Sequence, residues 1–309
     1  MTQLFEKLDR TCVPELDSIL GIPFNVLDDG FVRVIDYMGS DAAIVQAARV
    51  SYGKGTKKIR EDEGLIRYLI RHHHTSPLEM CEIKLHVRVP MDCWRQWIRH
   101  RTASVNEYST RYSLAIDAVQ KTKPNEWRLQ ATSNRQGSEG YLEVEKGHSF
   151  SARENELLNL ARTVYSERID AGIAREQARK DLPLSTYTEA YWKTDLHNLL
   201  HFLALRMDHH AQLEIRTYAT IIGSEIVGKW CPLVWKAFND YQFSRMELSK
   251  QEIEIIVHLQ SGDIEGAKKT AREYGFLPAE GESLKYNLER EEIEQKLKTL
   301  GIRPPWLPS

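Results

Sequence analysis

Apolar residues alternate along FVRVIDYM at 31–38 and again along EIKLHVRV at 82–89. That period of two predicts half-buried strands. Elsewhere the spacing turns helical. A helix is expected through AAIVQAARVSY, with Asp41 as its cap, and another over 61–74, ending in His72, His73 and His74 before Ser76-Pro77 breaks the chain. Between them SYGKGTKK at 51–58 reads as a loop. Pro90 and Asp92 start a short helix that carries Cys93, Trp94, Trp97 and Ile98 and delivers Arg99. The polar text at 118–151 predicts a surface excursion, and a long helix is expected over 151–180, with DLPLS at 181–185 as its interruption. Leucines spread around the circumference of DLHNLLHFLALRMD at 195–208 predict a helix buried on most sides, capped by Asp195. A further helix is expected from about His209 to Gly228, and beyond 240 the text becomes charge-rich and helical. The expected fold class is α+β, an antiparallel sheet packed with long helices.

Composition narrows the function classes. Apolar residues make up 41% of the 309 positions, enough for a core. No run of 18 apolar residues predicts a membrane span, and the acidic N-terminus does not read as a signal peptide. Cys12, Cys81, Cys93 and Cys231 are scattered without a CxxC pair, which fits a reducing, cytoplasmic setting and predicts no disulfide framework. A net charge of −2 does not suggest a nucleic-acid binder.

Against that neutral background one stretch stands out. RHRTASVNEYSTRY at 99–112 sets Arg99, Arg101 and Arg111 against a single carboxylate, Glu107, with His100, Asn106, Ser109 and Thr110 as further polar groups. Arginine holds phosphate through a planar fork that stays charged at any working pH, so the loop suits a phosphorylated small molecule. Arg175 and Arg179 lie on one helical face and read alone as a salt-bridge stripe with Glu176; beside the loop they suggest a second contribution to phosphate binding. His197 and His201 are four apart, on one helical face, whereas Arg206 is rotated from His201 by about 140°. Arg206 sits among apolar residues and needs an acidic partner or an anionic ligand. His197-x-x-x-His201 has zinc spacing, but Asn198 stands where a metalloprotease glutamate would be, so no metal is expected. Neither a P-loop nor a dinucleotide fingerprint is present, and Cys81 and Cys93 read as packing residues.

The loop matches every fixed position of RHRxxSxNExSxRY, and on this ground the chain resembles the flavin-dependent thymidylate synthases, the ThyX family. The likeness runs over about 31–240 and includes HTSPLE at 74–79, QWIRHR at 96–101, REQARKDLP at 175–183, DLHNLLHFLALR at 195–206 and HAQLEIR at 210–216. The resemblance implies a 1–240 catalytic domain and an appended 241–309 region to which it gives no role. It implies methylation of dUMP to dTMP, with methylenetetrahydrofolate as one-carbon donor and NADPH-reduced FAD as hydride source, in a homotetramer whose sites draw on more than one subunit. No cysteine nucleophile is implied. By motif, the dUMP site comprises Gln96, Trp97, Ile98, Arg99, Glu107, Tyr108, Ser109, Thr110, Arg111 and Arg179. The FAD site comprises His74, Ser76, Arg99, His100, Arg101, Asn106, Glu107, Asp195, Leu196, His197 and His201. Arg206 is the catalytic candidate, placed against the pyrimidine to favour its ionised form at N3, and Ser109 has a positioning role. Asp195 stands where some members carry asparagine, and Thr110 where others carry glycine. From the residues alone, a metal-dependent nucleotide phosphohydrolase built on the histidines and the arginine loop is the alternative, and a nucleic-acid binder with RHR on the backbone is a third.

Overall fold

A computed structural model describes residues 10–50, 59–131 and 137–307. The expected loop at 51–58 lies outside them. The chain divides into two compact units, residues 1–243 and 244–309.

The first unit is built on a five-stranded sheet, with strands β1 (Phe24–Val26), β2 (Gly30–Met38), β3 (Glu82–Pro90), β4 (Ser104–Glu107) and β7 (Tyr187–Asp195) in the order β1-β2-β3-β7-β4. All neighbours are antiparallel. The two strands expected from alternation are β2 and β3. Their pleat sends Val32 and Val34 with Ile83, Leu85, Val87 and Val89 into the core, while Lys84, His86 and Arg88 stay on the half-buried opposite face. β7 repeats the alternation in YTEAYWKTD, a strand not among those expected above.

The helix Leu196–Arg206 follows β7 directly. The Asp195 carboxylate accepts from the Asn198 backbone N–H at 2.9 Å, the expected cap. Leu196, Leu199, Leu200, Phe202 and Leu203 are buried, so this helix is fixed by the core beneath it. The short helix Met91–Trp97 turns out of β3 and inserts Trp94 and Trp97 into an aromatic cluster with Trp192, Phe202 and Tyr218.

Several expectations need correction. The carboxylate of Asp41 does not cap its own helix, Asp41–Val50. It accepts from the backbone N–H groups of Leu233 (2.9 Å) and Val234 (3.2 Å), capping the helix Pro232–Phe238 instead. The 118–151 excursion is shorter than expected. It contains the hairpin β5 (Arg128–Gln130) and β6 (Ser138–Tyr141), and the long helix already starts at Val144. That helix ends at Asp170, because Gly172 takes up a positive φ of 78° and reverses the chain before the short helix Arg175–Ala178. The helix expected over 209–228 begins at Leu213 and widens into a π-helical stretch at Ile222–Val227.

The second unit has a core of its own, in which Ile255, Ala267, Ala271, Phe276, Ile293 and Leu297 pack together. Its helix Lys250–Gln260 begins with a capping box between Ser249 and Glu252, and Glu252 also accepts from Lys296 Nζ at 2.7 Å. No helix among the described residues is long and apolar enough to cross a membrane.

Candidate active site

The helix Leu196–Arg206 and the segment after Met91–Trp97 meet at a cleft of about 530 Å3. Arg99, His100, Arg101, His197, His201 and Arg206 line it. Arg206 Nε donates to His100 Nε2 at 3.0 Å, and Arg206 Nη2 donates to the Gln96 carbonyl at 3.4 Å. His100 therefore accepts through Nε2 and carries its proton on Nδ1. Its ring stands edge-on to Phe202, with centroids 5.0 Å apart, and lies 5.8 Å from His201. Burial first, then the Arg206 cation and His201, push the imidazole down to about 4. Burial also holds the Arg206 guanidinium below its ordinary value, but arginine remains charged in proteins. The site thus presents a fixed cation oriented by a neutral histidine.

Arg99 and Arg101 are exposed, with no side-chain partner among the described residues. The buried indole N–H of Trp192, at the cleft wall, also lacks a partner. Unpaired arginines and an orphaned donor fit an acceptor-rich, anionic cofactor such as FAD. His74 and Ser76 are exposed in the turn between the helix Ile59–Arg71 and the 3-10 turn Leu78–Met80. That 3-10 turn packs on the helix Leu196–Arg206, and the Leu196 N–H bonds the Cys81 carbonyl at 2.8 Å.

A second cluster forms where the signature loop leaves the sheet edge. Asn106 and Glu107 lie on β4, opposite Tyr191 and Ala190, and Glu107 Oε1 accepts from Thr188 Oγ1 at 2.9 Å. Tyr108 ties the loop back through its hydroxyl to the Leu114 carbonyl at 2.8 Å. Ser109 Oγ accepts from the Arg111 N–H at 3.3 Å. Arg179 Nη1 donates to Thr110 Oγ1, Arg175 Nη1 donates to the Tyr112 carbonyl at 3.0 Å, and Arg111 Nε lies 3.3 Å from Glu176. The arginine stripe and the signature loop do come together. No described contact joins this cluster to Arg206.

Two site candidates take a different place. Trp97 and Leu196 are each 0% exposed, so their side chains belong to the core and support the site from behind. Ile98, by contrast, is exposed. Cys81 and Cys93 are buried, and burial pushes the Cys93 thiol far up, as suits packing residues. Among the described residues His197 and His201 belong to no metal-binding group. Three ligand atoms come together only on Asp208, His209 and His210, where both histidines are exposed.

Gln212 and Asp92 are bonded in series to a site candidate, Gln96, and sequence reasoning misses both. Gln96 Nε2 donates to Gln212 Oε1, and Gln212 Nε2 donates to Asp92 Oδ2 at 3.2 Å. In the sequence Asp92 stands out only as a helix start, and Gln212 only within HAQLEIR. Nothing in their spacing announces a pair 120 residues apart.

Comparison with known proteins bears on this arrangement. The family model described as "Thymidylate synthase complementing protein" matches residues 33–233. A flavin-dependent thymidylate synthase of Wolbachia pipientis wMel is 52% identical over 258 residues, spanning 84% of this chain and 90% of that protein. One from Rickettsia conorii is 49% identical over 267 residues, spanning 82% and 90%. Among solved structures, the UMP/dUMP methylase PolB from Streptomyces cacaoi, bound with 5-Br UMP, is 31% identical with a TM-score of 0.64, over 71% of this chain and 97% of that one. With the signature loop, the arginine cluster and the Arg206 cleft in place, the chain belongs to the flavin-dependent thymidylate synthase family.

Proposed function

We propose that this chain methylates dUMP to dTMP as a flavin-dependent thymidylate synthase, with methylenetetrahydrofolate as one-carbon donor and NADPH as reductant. FAD, when bound, supplies the hydride. The observation that carries the reading is Arg206, a half-buried cation held by His100 and the Gln96 carbonyl at the floor of an arginine- and histidine-lined cleft.

The chain's own residues divide the work. Arg99, Arg101, Asn106 and Glu107, with His74, Ser76, Asp195, His197 and His201, hold FAD, and the Leu196 backbone continues that surface. Arg111 and Arg179 take the dUMP phosphate, with Ser109, Thr110 and Tyr108 positioning the nucleotide, and Gln96, Ile98 and Arg99 complete its site. Arg206 lies against the pyrimidine and stabilises the negative charge that develops on it. Because the guanidinium is already oriented and partly desolvated, little reorganisation is needed when that charge appears. Catalysis belongs to the first unit; 244–309 is an appended helical unit.

No described contact joins the loop cluster to the Arg206 cleft within one chain, which fits a homotetramer with sites shared between subunits; the scattered, unpaired cysteines fit the cytoplasm. Mixing an Arg111 variant with an Arg206 variant tests sharing: activity returns in mixed oligomers if each subunit lends a different half. Failure under proven subunit exchange would remove it. The function itself is tested by visible absorbance under anaerobic conditions. Flavin bands are expected after FAD addition and should bleach with NADPH, faster with dUMP present. A protein that takes up no flavin overturns the reading.

A further inference from the structure

We infer that Asp92 and Gln212 form a positioning relay that fixes which end of the Gln96 amide faces the nucleotide, and so favours uracil over cytosine. The inference rests on the nucleotide site proposed above and adds a specificity device to it. A side-chain amide has one accepting and one donating end of nearly equal shape, so its orientation is decided by its neighbours. Here the relay begins on a carboxylate. Asp92 Oδ2 only accepts, so Gln212 must turn Nε2 toward it, at 3.2 Å. That leaves Gln212 Oε1 pointing at Gln96, which must answer with Nε2. Polarity is thereby passed along two amides. Gln96 Oε1 is left as the open end, with no partner among the described residues.

The anchor is rigid. Asp92 lies in the first turn of Met91–Trp97, its backbone N–H bonded to the Leu184 carbonyl at 3.0 Å. Gln212 precedes the helix Leu213–Ile221 and also lies 4.0 Å from Cys93 Sγ. The Arg128–Glu214 pair at 2.8 Å ties the β5–β6 hairpin to that same helix. Gln96 meanwhile gives its backbone carbonyl to Arg206, so the residue that ends the relay also holds the cation proposed against the pyrimidine. An accepting Oε1 turned to the base would match the N3–H of neutral uracil. Cytosine presents a lone pair at N3, and two acceptors face each other. The relay acts on the neutral base as it binds; Arg206 acts on charge that develops afterwards.

The test uses the full-length, FAD-loaded protein without folate or NADPH, with dUMP and dCMP affinities measured by calorimetry. In D92N the new amide can donate to Gln212 or accept from it, so the relay loses its fixed sense. The preference for dUMP over dCMP is expected to fall about tenfold, the scale of one hydrogen bond. D92N/Q212E moves the carboxylate one step along the relay at unchanged net charge. The carboxylate now at position 212 accepts both from the amide at position 92 and from Gln96, so the preference should return to within about threefold of the parent. Should D92N fail to fold, Q212M removes the relay while keeping side-chain volume, and the same fall is expected. An unchanged preference in a folded D92N or Q212M, or a D92N/Q212E protein as unselective as D92N, overturns the relay. A parent protein that binds FAD but neither nucleotide overturns the nucleotide site, and the relay with it.

Discussion

His100 should stay neutral far below the pH at which an ordinary histidine charges, and the Arg206 geometry should survive with it. Burial, Arg206 and His201 together push its midpoint from 6.5 to about 4. Each pH unit corresponds to about 1.4 kcal/mol, so the raw figure is on the order of 3 kcal/mol. Because the ring is only partly buried, solvent screening reduces this to about 1–2 kcal/mol. The sign follows from linkage. The unfolded chain takes up this proton near 6.5 and the folded chain does not until about 4. Folded stability is therefore fully present above 6.5 and is lost progressively as pH falls from 6.5 toward 4. Charging His100 would also remove the acceptor that Arg206 Nε uses. The assay is the Cε1–H titration of selectively labelled histidines, with the His100 signal assigned by its loss in His100→Gln. A midpoint below about 5 is expected. In Arg206→Ala it should move partway back toward 6.5, because desolvation, the largest cause, remains. A midpoint between about 6 and 7 in the parent, or no movement in Arg206→Ala, would refute the reasoning.

Other substitutions test other links. Arg206→Ala is expected to keep FAD, read by flavin absorbance, yet slow dTMP formation about 10²–10³-fold, the scale for removing one oriented charge-stabilising donor; full turnover would take Arg206 out of the mechanism. Arg111→Ala should weaken dUMP binding by about 1.5–3 kcal/mol in calorimetry, and unchanged affinity would move the phosphate site elsewhere. Asp41, pushed up to about 6 mainly by burial, gives the opposite pH sign to His100. Its carboxylate is disfavoured in the fold, so acidification from about 7 toward 5 should relieve a penalty. Asp41→Asn keeps an accepting cap and should flatten that part of the melting-temperature profile. Asp41→Ala should lose about 1 kcal/mol of capping at neutral pH; a melt unchanged in Asp41→Ala would show that the cap contributes little.

What the sequence disclosed depended on how local the cause was. β2 and β3 were legible because a sheet with one face on the core imposes a period of two on every residue. The cap at Asp195 was legible because the N–H it accepts from lies three residues away. Asp41 has the same chemistry, but its partners lie 192 and 193 residues downstream, so sequence assigned it to the wrong helix. The signature loop disclosed the arginines, and Arg206 betrayed itself as a cation in apolar text. What stayed hidden was pairwise and distant: Arg206 with His100, Gln212 with Asp92, Thr188 with Glu107. Trp97 and Leu196 went the other way. They lie inside informative motifs, yet those motifs mix exposed residues with buried ones that support them from the core.

The two halves of the site differ physically in a way that suits their tasks. Arg206 is half-buried, oriented by two acceptors and seated on a helix whose inner face is core. Moving it means disturbing packing, so its position is set before any substrate arrives. Arg111 is 58% exposed, and among the described residues its side chain meets only Glu176, itself 56% exposed. An exposed pair of this kind contributes about 0–1 kcal/mol. A charge-assisted contact to phosphate is worth about 1.5–3 kcal/mol, so a nucleotide phosphate arriving at Arg111, as proposed, would displace Glu176 at a net gain. Arg179 is tied only to the Thr110 hydroxyl, a neutral partner that gives way to phosphate on the same terms. The loop thus holds its arginines ready at low cost, while the cleft holds its arginine fixed. In the proposed site, binding energy gathered by the movable arginines on the phosphate, remote from the reacting carbon, would serve to press the base against the one that does not move.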